Sequence, residues 1–393
     1  MTTVMELLGH PVFANFRLIT DHSGLYNKVK NSGIFDWEQG DELKNRFNKG
    51  DFIITALSHY DKKEEQAEFF IRRLIDRSPA AIAIKDIYFS TLSNSTIEYA
   101  DEKHVPIFFF SDTYFDDIVF TIKNSLTPGE INFSAVQKMR KILYENISSF
   151  EKELITKEIN QYFYDNVACM IFLPRNQEES SNVLTKYEKI YNSLSIKPED
   201  FSSSFFSLIR FPRGVCLIFS ASNNNHKLIE GAISLSKQLK LSPDDFSIGV
   251  STIITRLSHI DLAFKEALYA SIDSLIEEQS IRHFDEIGLM QIICPLRKDY
   301  WFHRYFQERL EKIQSYDIKK SAEIMNTVTT FVRCRCNFAE TSKILFSHIN
   351  TIRYRINKAY EILGIENSMD ANAQLSVLVR LQEVNRILSG LRL

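Results

Sequence analysis

Short apolar runs alternate with amphipathic segments through the N-terminal part of the chain. The strand-like runs are Asp51–Leu57, Ala80–Lys85 and Val105–Phe110, and the helix-like segments are Thr3–Leu8, Lys62–Asp76 and Asn94–Lys103. Continuous apolar strands separated by helices are typical of a parallel sheet whose two faces are both covered. The pattern therefore predicts an N-terminal α/β domain over residues 1–126.

A long helical pattern follows the Pro128-Gly129 break and predicts a connector over residues 130–161. Apolar residues recur there at heptad spacing, in one seam of Val136, Leu143 and Phe150 and a second of Ile147 and Leu154. A few heptads of this kind fit a coiled coil that joins two copies of the chain. An amphipathic helix packed on its own domain produces the same pattern, so both interpretations stay open.

The middle of the chain predicts a second α/β domain over residues 166–290. Strands are predicted at Val167–Leu173, Phe205–Phe211, Val215–Ser220 and Ser247–Ser251, and helices at Lys227–Leu239 and His259–Ser274. The Pro212-Arg213-Gly214 sequence between the second and third strands indicates a hairpin.

Helical patterns fill residues 291–393, which we predict to form an all-α domain. Its predicted helices include Tyr300–Gln314, Ser321–Arg335 and Ala371–Leu388. The first contains Trp301, Phe302, Tyr305 and Phe306, which we interpret as core residues, although rings beside Arg304 also suit stacking on nucleic acid. The predicted fold class is therefore multidomain, with two α/β domains followed by an all-α domain.

Two short helices with a tight break between them are predicted inside this last domain. The first runs from an Asn337 N-cap to about Leu345, and the second from His348 to about Leu363 after a break at Phe346 and Ser347. Ser347 is a good N-cap residue for the second helix. This order of helix, turn and helix predicts a helix-turn-helix.

The second helix separates apolar and polar residues cleanly. Its apolar stripe is Ile352, Ile356, Ala359 and Leu363, and its other faces carry His348, Asn350, Thr351, Arg353, Tyr354, Arg355, Asn357 and Lys358. Amide, hydroxyl and ring groups read base edges, and flanking arginines reach phosphates on either side of a major groove. We predict that double-stranded DNA is bound by His348, Asn350, Thr351, Arg353, Tyr354, Arg355 and Lys358. One alternative is an amphipathic helical hairpin with a solvated basic face, and another is a helical scaffold whose C-terminal bundle binds a protein partner rather than DNA.

Charge is distributed unevenly along the chain. Residues 291–393 carry 16 Lys and Arg against 10 Asp and Glu, whereas the remainder carries 31 against 40. The C-terminal quarter is therefore the end that suits nucleic acid, with Arg333 and Arg335 as further candidate phosphate contacts. The acidic remainder argues against wrapping or coating of DNA.

Several other classes of protein are disfavoured by the sequence. The five cysteines include no CxxC pair, and neither GxGxxG nor GxxxxGK[ST] occurs, so we expect no metal and no cofactor. No apolar run is long enough to span a bilayer, and Met1–Gly9 lacks the features of a signal peptide. We expect a cytoplasmic protein.

The helix-turn-helix also carries a family resemblance. The run from His348 to Ile356 resembles the H-x-N-T-[LI]-R-Y-R-[LI] signature of the purine-catabolism-regulator (PucR) and CdaR-like family of bacterial transcription regulators. Ser347 and Ile349 depart from the family pattern, which usually has an apolar and a basic residue there. The N-terminal segment resembles the family's N-terminal domain in its TTVMELL opening, in Gly50-Asp51, and in Ala100, Asp101, Val105 and Pro106.

The middle domain resembles the degenerate GGDEF-type domain of such regulators. The matching segments are Ile248-Gly249-Val250, Glu266-Ala267-Leu268 and Phe284-Asp285-Glu286-Ile287-Gly288-Leu289. A cyclase of the parent fold needs acidic residues beside a glycine-rich turn to hold metal-bound triphosphate. The hairpin here has Arg213 at that place, so we predict that the protein is not an enzyme.

Polar residues follow the predicted strands of the N-terminal domain. They are Thr55, Ser58, Lys85, Asp86, Ser111, Asp112 and Thr113. Small ligands bind at the carboxyl ends of strands in open α/β sheets, so we predict a small-molecule effector site there. The alternative is that these residues cap the following helices.

The resemblance implies a homodimeric, ligand-responsive regulator of catabolic genes, often those for purines or amino acids. Its DNA-binding end would read two half-sites. The alternative function from another class is a nucleotide-binding or nucleotide-processing protein that uses the GGDEF-like domain.

Overall fold

The computed structural model of the protein describes residues 2–35, 47–60, 63–126, 130–176, 180–193, 204–211, 213–222, 225–316, 318–366 and 368–391. The N-terminal elements are β1 (Thr2–Thr3), α1 (Val4–Leu8), β2 (Phe16–Leu18), β3 (Lys28–Val29), β4 (Asn31–Ile34), β5 (Asp51–Thr55), α2 (Glu64–Ile75), β6 (Ala81–Lys85), α3 (Asn94–Glu102), β7 (Ile107–Phe110) and α4 (Phe115–Ser125). The sequence-predicted strands and helices of this region are confirmed, with shifts of a few residues at their ends.

The first large sheet has the strand order β2-β7-β6-β5-β4. Strands β4 to β7 pair in parallel, whereas β2 pairs antiparallel with β7 at one edge. Every residue of β5 and β7 is buried, as the continuous apolar runs predict. Strands β2, β3 and β4 are not predicted by the pattern because they are short and include polar residues.

The connector consists of two helices, α5 (Glu130–Tyr144) and α6 (Ser149–Ile159), so the prediction of one long helix is wrong. The side chain of Ser148 accepts a hydrogen bond from the backbone N–H of Glu151, and the Glu151 carboxylate accepts one from the backbone N–H of Ser148. This reciprocal cap begins a new helix and interrupts the heptads. Of the predicted seam residues, Phe150 and Leu154 are exposed.

The middle elements are β8 (Val167–Pro174), α7 (Ser180–Ser193), β9 (Ser204–Phe211), β10 (Gly214–Ala221), α8 (Asn225–Gln238), β11 (Phe246–Val250), α9 (Ile260–Ile276) and β12 (Ile281–His283). They form a sheet in the order β12-β11-β8-β10-β9, in which only the pairing of β11 with β12 is parallel. The predicted hairpin is confirmed because Phe211 pairs with Gly214. The helix α7 is not predicted by the sequence pattern.

The N-terminal domain contacts the exposed edge of this second sheet through Tyr26. The Tyr26 hydroxyl donates to the carbonyl oxygen of Phe206 at 3.0 Å and accepts from the Phe206 N–H at 2.8 Å. The two rings stack with their centroids 4.2 Å apart. The outer side of an edge strand presents unpaired backbone N–H and C=O groups. Tyr26 forms hydrogen bonds with both groups of Phe206, and this contact holds the two sheets together.

The C-terminal helices are α10 (Met290–Leu296), α11 (Tyr300–Tyr316), α12 (Ile318–Arg333), α13 (Phe338–Ile344), α14 (Ile349–Leu363) and α15 (Ala371–Leu391). The prediction of aromatic core residues in α11 is only partly right. Phe306 is buried and Phe302 half-buried, but Trp301 is 72% exposed and Tyr305 is also exposed. Phe302 and Phe306 lie one turn apart on the packed face of α11. Trp301 and Tyr305 each precede one of them by one residue and therefore point about 100° away from that face.

Arg380 of α15 joins the helical bundle to the second sheet domain. Its guanidinium lies 2.7 Å from a carboxylate oxygen of Glu277 and 3.7 Å from one of Asp273, at the end of α9. Asp273 is almost completely buried and is also held by Arg282 at 2.9 Å. Burial raises the pKa of Asp273, and the two arginines oppose that rise.

None of the described helices has the length and apolar character needed to cross a bilayer.

We predict that Gly249→Ala destabilises the middle domain by about 3 kcal/mol. A Cβ atom at Gly249 would lie 2.0 Å from the Ala267 carbonyl oxygen and 2.1 Å from the Ser271 nitrogen, so α9 must move away from β11. The measurement is the urea midpoint of the full chain. The matched control is Gly231→Ala, whose new Cβ meets only the Phe219 ring; equal effects of the two substitutions would contradict this packing.

We also predict that Arg380→Ala loosens the bundle from α9. Loss of hydrogen bonds to charged groups costs about 1.5–3 kcal/mol, which corresponds to amide exchange in α15 that is faster by tenfold or more. Hydrogen-exchange mass spectrometry of the full chain measures this. Arg386→Ala is the control, since Arg386 is an exposed arginine on the same helix. Unchanged exchange in the Arg380 variant would show that the ion pairs do not hold the two domains together.

Candidate nucleic-acid interface

The first helix of the predicted helix-turn-helix, α13, begins where the sequence indicates. The Asn337 side-chain oxygen accepts hydrogen bonds from the backbone N–H groups of Ala339 at 2.9 Å and Glu340 at 3.1 Å. These bonds satisfy two donors that a helix start leaves free. The prediction of Asn337 as an N-cap is therefore confirmed.

The turn after α13 is fixed by its own polar groups. The Ser342 hydroxyl donates to the Ser347 carbonyl oxygen at 2.8 Å, and the Ser347 hydroxyl donates to the Leu345 carbonyl oxygen at 3.1 Å. Phe346 has a φ of +47° and is 96% exposed. A bulky side chain in the left-handed region marks a sharp turn, and the tight break predicted at Phe346 is confirmed.

The prediction that Ser347 caps the second helix is wrong. His348 is the N-cap, and its Nδ1 accepts the backbone N–H of Asn350 at 3.2 Å. The Ser347 hydroxyl is turned back toward the end of α13 instead. With Nδ1 engaged by this bond, Nε2 is the ring nitrogen left to donate to another partner.

The apolar stripe of α14 is buried as predicted. Ile352, Ile356, Ala359 and Leu363 lie within the bundle, and α14 packs on α11, α12 and α13. The helix ends at Gly364, which has a φ of +68°, a conformation that glycine adopts without strain. The packing therefore fixes which side of α14 faces out.

The seven predicted DNA-binding residues divide into two groups. His348, Asn350, Thr351, Arg353 and Tyr354 are exposed, Tyr354 by 69%. Arg355 and Lys358 are half-buried. The exposed group occupies the first turns of α14, the half of a recognition helix that meets base edges in helix-turn-helix proteins.

Arg355 and Lys358 already have protein partners. The Arg355 guanidinium lies 2.5 Å from a carboxylate oxygen of Glu323 on α12. The Lys358 ammonium lies 2.9 Å from Glu361 and 5.1 Å from the centre of the Tyr316 ring. Hydrogen bonds to Glu361 and Tyr316 raise the pKa of Lys358. Sequence reasoning missed Glu323 and Tyr316 as partners because they lie on other helices.

The remaining arginines of this surface are placed differently. Arg353 lies over the Phe338 ring at 5.7 Å while its side chain stays exposed, so it links α14 to α13. Arg333 is bound to Glu383 at 2.6 Å, whereas Arg335 is exposed beside the start of α13. Both candidate phosphate contacts before the helix-turn-helix are exposed to solvent, but Arg333 is already paired with a carboxylate.

The residues of the predicted effector site follow three adjacent strands, β5, β6 and β7, at their carboxyl ends. They are Thr55, Ser58, Lys85, Asp86, Ser111, Asp112 and Thr113. Thr55 is completely buried and its hydroxyl accepts the Leu57 N–H at 2.9 Å. The Lys85 ammonium lies 5.7 Å from the Tyr114 ring centre. Effector binding at this edge stays a prediction.

Within the described part of the chain, no group of His, Cys, Asp and Glu side chains has the arrangement of a metal site. Cys169, Cys216, Cys294 and Cys334 are buried free thiols, and Cys336 is half-buried. Burial raises the pKa of Cys294 to about 12, so this thiol stays protonated. The chemistry that the surface of α14 offers is hydrogen bonding and charge.

Two curated relatives resemble parts of this chain. The DNA-binding transcriptional activator AdeR of Bacillus subtilis is 25% identical over 187 residues, which cover 46% of this chain and 44% of that protein. The purine catabolism regulatory protein of Bacillus subtilis is 24% identical over 143 residues, 35% of this chain and 26% of that protein. The chain thus spans less than half the length of either relative.

A search of solved structures found a regulator of polyketide synthase expression from Bifidobacterium adolescentis. It is 14% identical, and the match covers 63% of this chain and 98% of that one, with a TM-score of 0.23.

Family models match both ends of the chain. The model of the purine catabolism regulatory protein-like family matches residues 6–126, and that of the PucR C-terminal helix-turn-helix domain matches residues 324–382. The second range contains α13, the turn and α14. The chain therefore carries the N-terminal domain of the PucR family and the C-terminal helix-turn-helix domain of the same family.

Proposed function

We propose that this protein is a DNA-binding transcription regulator whose helix α14 enters the major groove of double-stranded DNA. The observation that carries the proposal is the division of α14 into a completely buried apolar stripe and an exposed polar N-terminal half. The PucR helix-turn-helix match over residues 324–382 supports the same function. A helix of this shape fits a major groove about 12 Å wide.

Each exposed side chain of α14 has a role that its chemistry suits. The Asn350 amide can pair with an adenine through two hydrogen bonds, and the Tyr354 and Thr351 hydroxyls can contact base edges or phosphates. Arg353 supplies a phosphate contact, and His348 donates from Nε2 at the start of the helix. Arg355 and Lys358 add positive charge from the half-buried side of the helix.

We propose that two copies of the chain act together. Helix-turn-helix proteins commonly bind DNA as dimers, in which each copy of the chain contacts one of two half-sites. Phe150 and Leu154 lie four residues apart on α6 and are both exposed. Residues at this spacing share one helix face, and this apolar face is our candidate for the contact between copies.

We propose that a small metabolite controls DNA binding from the N-terminal domain. Its site is the carboxyl edge of β5, β6 and β7, with Lys85, Asp86 and Asp112 among its polar groups. The path to the bundle runs through the contact of Tyr26 with β9 and the contact of Arg380 with α9. A ligand changes this equilibrium only if it binds one arrangement better than the other.

The names of the two Bacillus subtilis relatives suggest the target genes. One is called a transcriptional activator and the other a regulator of purine catabolism. We propose catabolic genes as targets of this protein. We also propose that it is not an enzyme, because the hairpin between β9 and β10 has Arg213 where a cyclase needs acidic residues to hold metal-bound triphosphate.

Two substitutions in α14 are expected to have different effects on DNA binding. Asn350→Ala removes a base-reading group, so the preference for the best site over a mismatched site should fall by about 1–3 kcal/mol, which is about five-fold to a hundred-fold. Arg353→Ala removes a phosphate contact, so all sequences should be bound more weakly and the slope of log K against log salt should flatten by about 0.9.

The measurement is fluorescence anisotropy with duplexes from the DNA upstream of the protein's own gene and its neighbours, at several salt concentrations. Asn326→Ala is the matched control, an exposed asparagine on α12. Equal affinities of wild type and both α14 variants for every duplex would disprove the proposed interface.

A further inference from the structure

A basic groove lies where the connector meets the helical bundle. Its volume is about 1160 Å³, and its walls are α5, the segment that leads into α11, and the end of α15. The basic residues that line it are Arg140, Lys141, Arg297, Lys298 and His303. This groove is separate from the exposed half of α14 and from the carboxyl edge of the first sheet.

The charge of the basic groove is not balanced by its own lining. Glu145 is the one acidic residue among the described lining residues, against two arginines and two lysines. None of these four cations forms an ion pair with another described residue. The Nε atom of Arg297 is buried and has no hydrogen-bond partner in the described part of the chain. An unpartnered buried donor costs free energy unless a ligand satisfies it.

Aromatic rings lie among these cations. The Lys298 ammonium is 5.4 Å from the centre of the Tyr144 ring, and Tyr300 lines the same wall. Tyr300 is 62% exposed and meets the Trp301 ring edge-on at 5.0 Å. Exposed ring faces beside arginine and lysine suit a planar base attached to an anion.

The shape of the groove favours a small ligand over DNA. Ligand clefts typically have volumes of about 300–1,000 Å³, and this groove lies just above that range. It is a concave space between helices of one chain, whereas a duplex is a wide rod that lies against convex or shallow surfaces. Several clustered cations with one acid favour a compact ligand with more than one negative charge.

We propose that the basic groove binds a small molecule that carries two or more phosphate groups, of the nucleoside diphosphate or triphosphate class. Arg297 and Lys298 contact the phosphates, with Arg140 and Lys141 on the opposite wall. The planar Arg297 guanidinium is suited to parallel hydrogen bonds with phosphate oxygens. The base stacks on Tyr300.

The consequence for regulation follows from the position of the groove and rests on the proposed function. A ligand held between α5 and the ends of α11 and α15 bridges the connector to the DNA-binding bundle. It therefore favours the arrangement in which these walls are closest. Binding of the nucleotide itself does not depend on DNA, so the two proposals can fail separately.

The test is isothermal titration calorimetry of the full chain with ATP, with inorganic pyrophosphate and adenosine as separate arms. ATP should bind, pyrophosphate should bind more weakly, and adenosine should not bind measurably. The double variant Arg297→Gln and Lys298→Gln should lower ATP affinity by at least tenfold. Lys312→Gln, which removes an exposed lysine of α11 outside the groove, should leave it unchanged.

A further variant separates the base from the phosphates. Tyr300→Ala should weaken ATP binding several-fold and leave pyrophosphate binding unchanged, because only the base meets the ring. Thermal melts of all variants show whether they fold as the wild type does. Retained binding of the double variant to operator DNA shows that the helix-turn-helix is intact.

Three results would overturn the proposal. The first is no heat from either ATP or pyrophosphate at millimolar concentrations. The second is ATP binding that the double variant, folded as the wild type, does not change. The third is loss of DNA affinity in the double variant together with no ATP binding by the wild type, which would make the groove a DNA contact.

Discussion

Burial of one face of α14 is the constraint on which the DNA-binding surface depends. Ile352, Ile356, Ala359 and Leu363 are removed from water by α11, α12 and α13. Burying a large aliphatic side chain contributes about 1.5–3 kcal/mol, so a rotation of α14 about its axis would expose apolar surface at high cost. Because the helix has 3.6 residues per turn, burial of this stripe orients the polar side chains of the first turns of α14 toward solvent.

The N-terminal domain and the helical bundle each contact the second sheet domain. Tyr26 holds the N-terminal domain on the edge strand β9, and Arg380 holds the bundle on α9 of the same second sheet domain. The second sheet domain therefore contacts both the N-terminal domain and the C-terminal helical bundle. These hydrogen bonds and ion pairs are the contacts through which we propose that the middle domain couples the two ends of the chain.

The sequence predicts those elements whose pattern is local. Continuous apolar runs such as Val105–Phe110, and the Asn337 cap, act through neighbours in the chain and are found where expected. The break in the connector also has a local signal, because Ser148 and Glu151 stand at capping-box spacing. The heptad pattern continues across this position and therefore predicts one helix instead of two. The exposure of Trp301 and the pairing of Arg355 with Glu323 depend on which helices meet, which the sequence pattern does not specify.

The central claim is that the exposed half of α14 lies in a major groove. Dimethyl sulfate tests it directly, because guanine N7 faces the major groove and adenine N3 the minor groove. The reagent is applied to an upstream DNA fragment that the protein retards in a gel. We expect the bound protein to protect guanine N7 at two places about one helical turn apart. Full reactivity of every guanine N7 in the bound complex would contradict it.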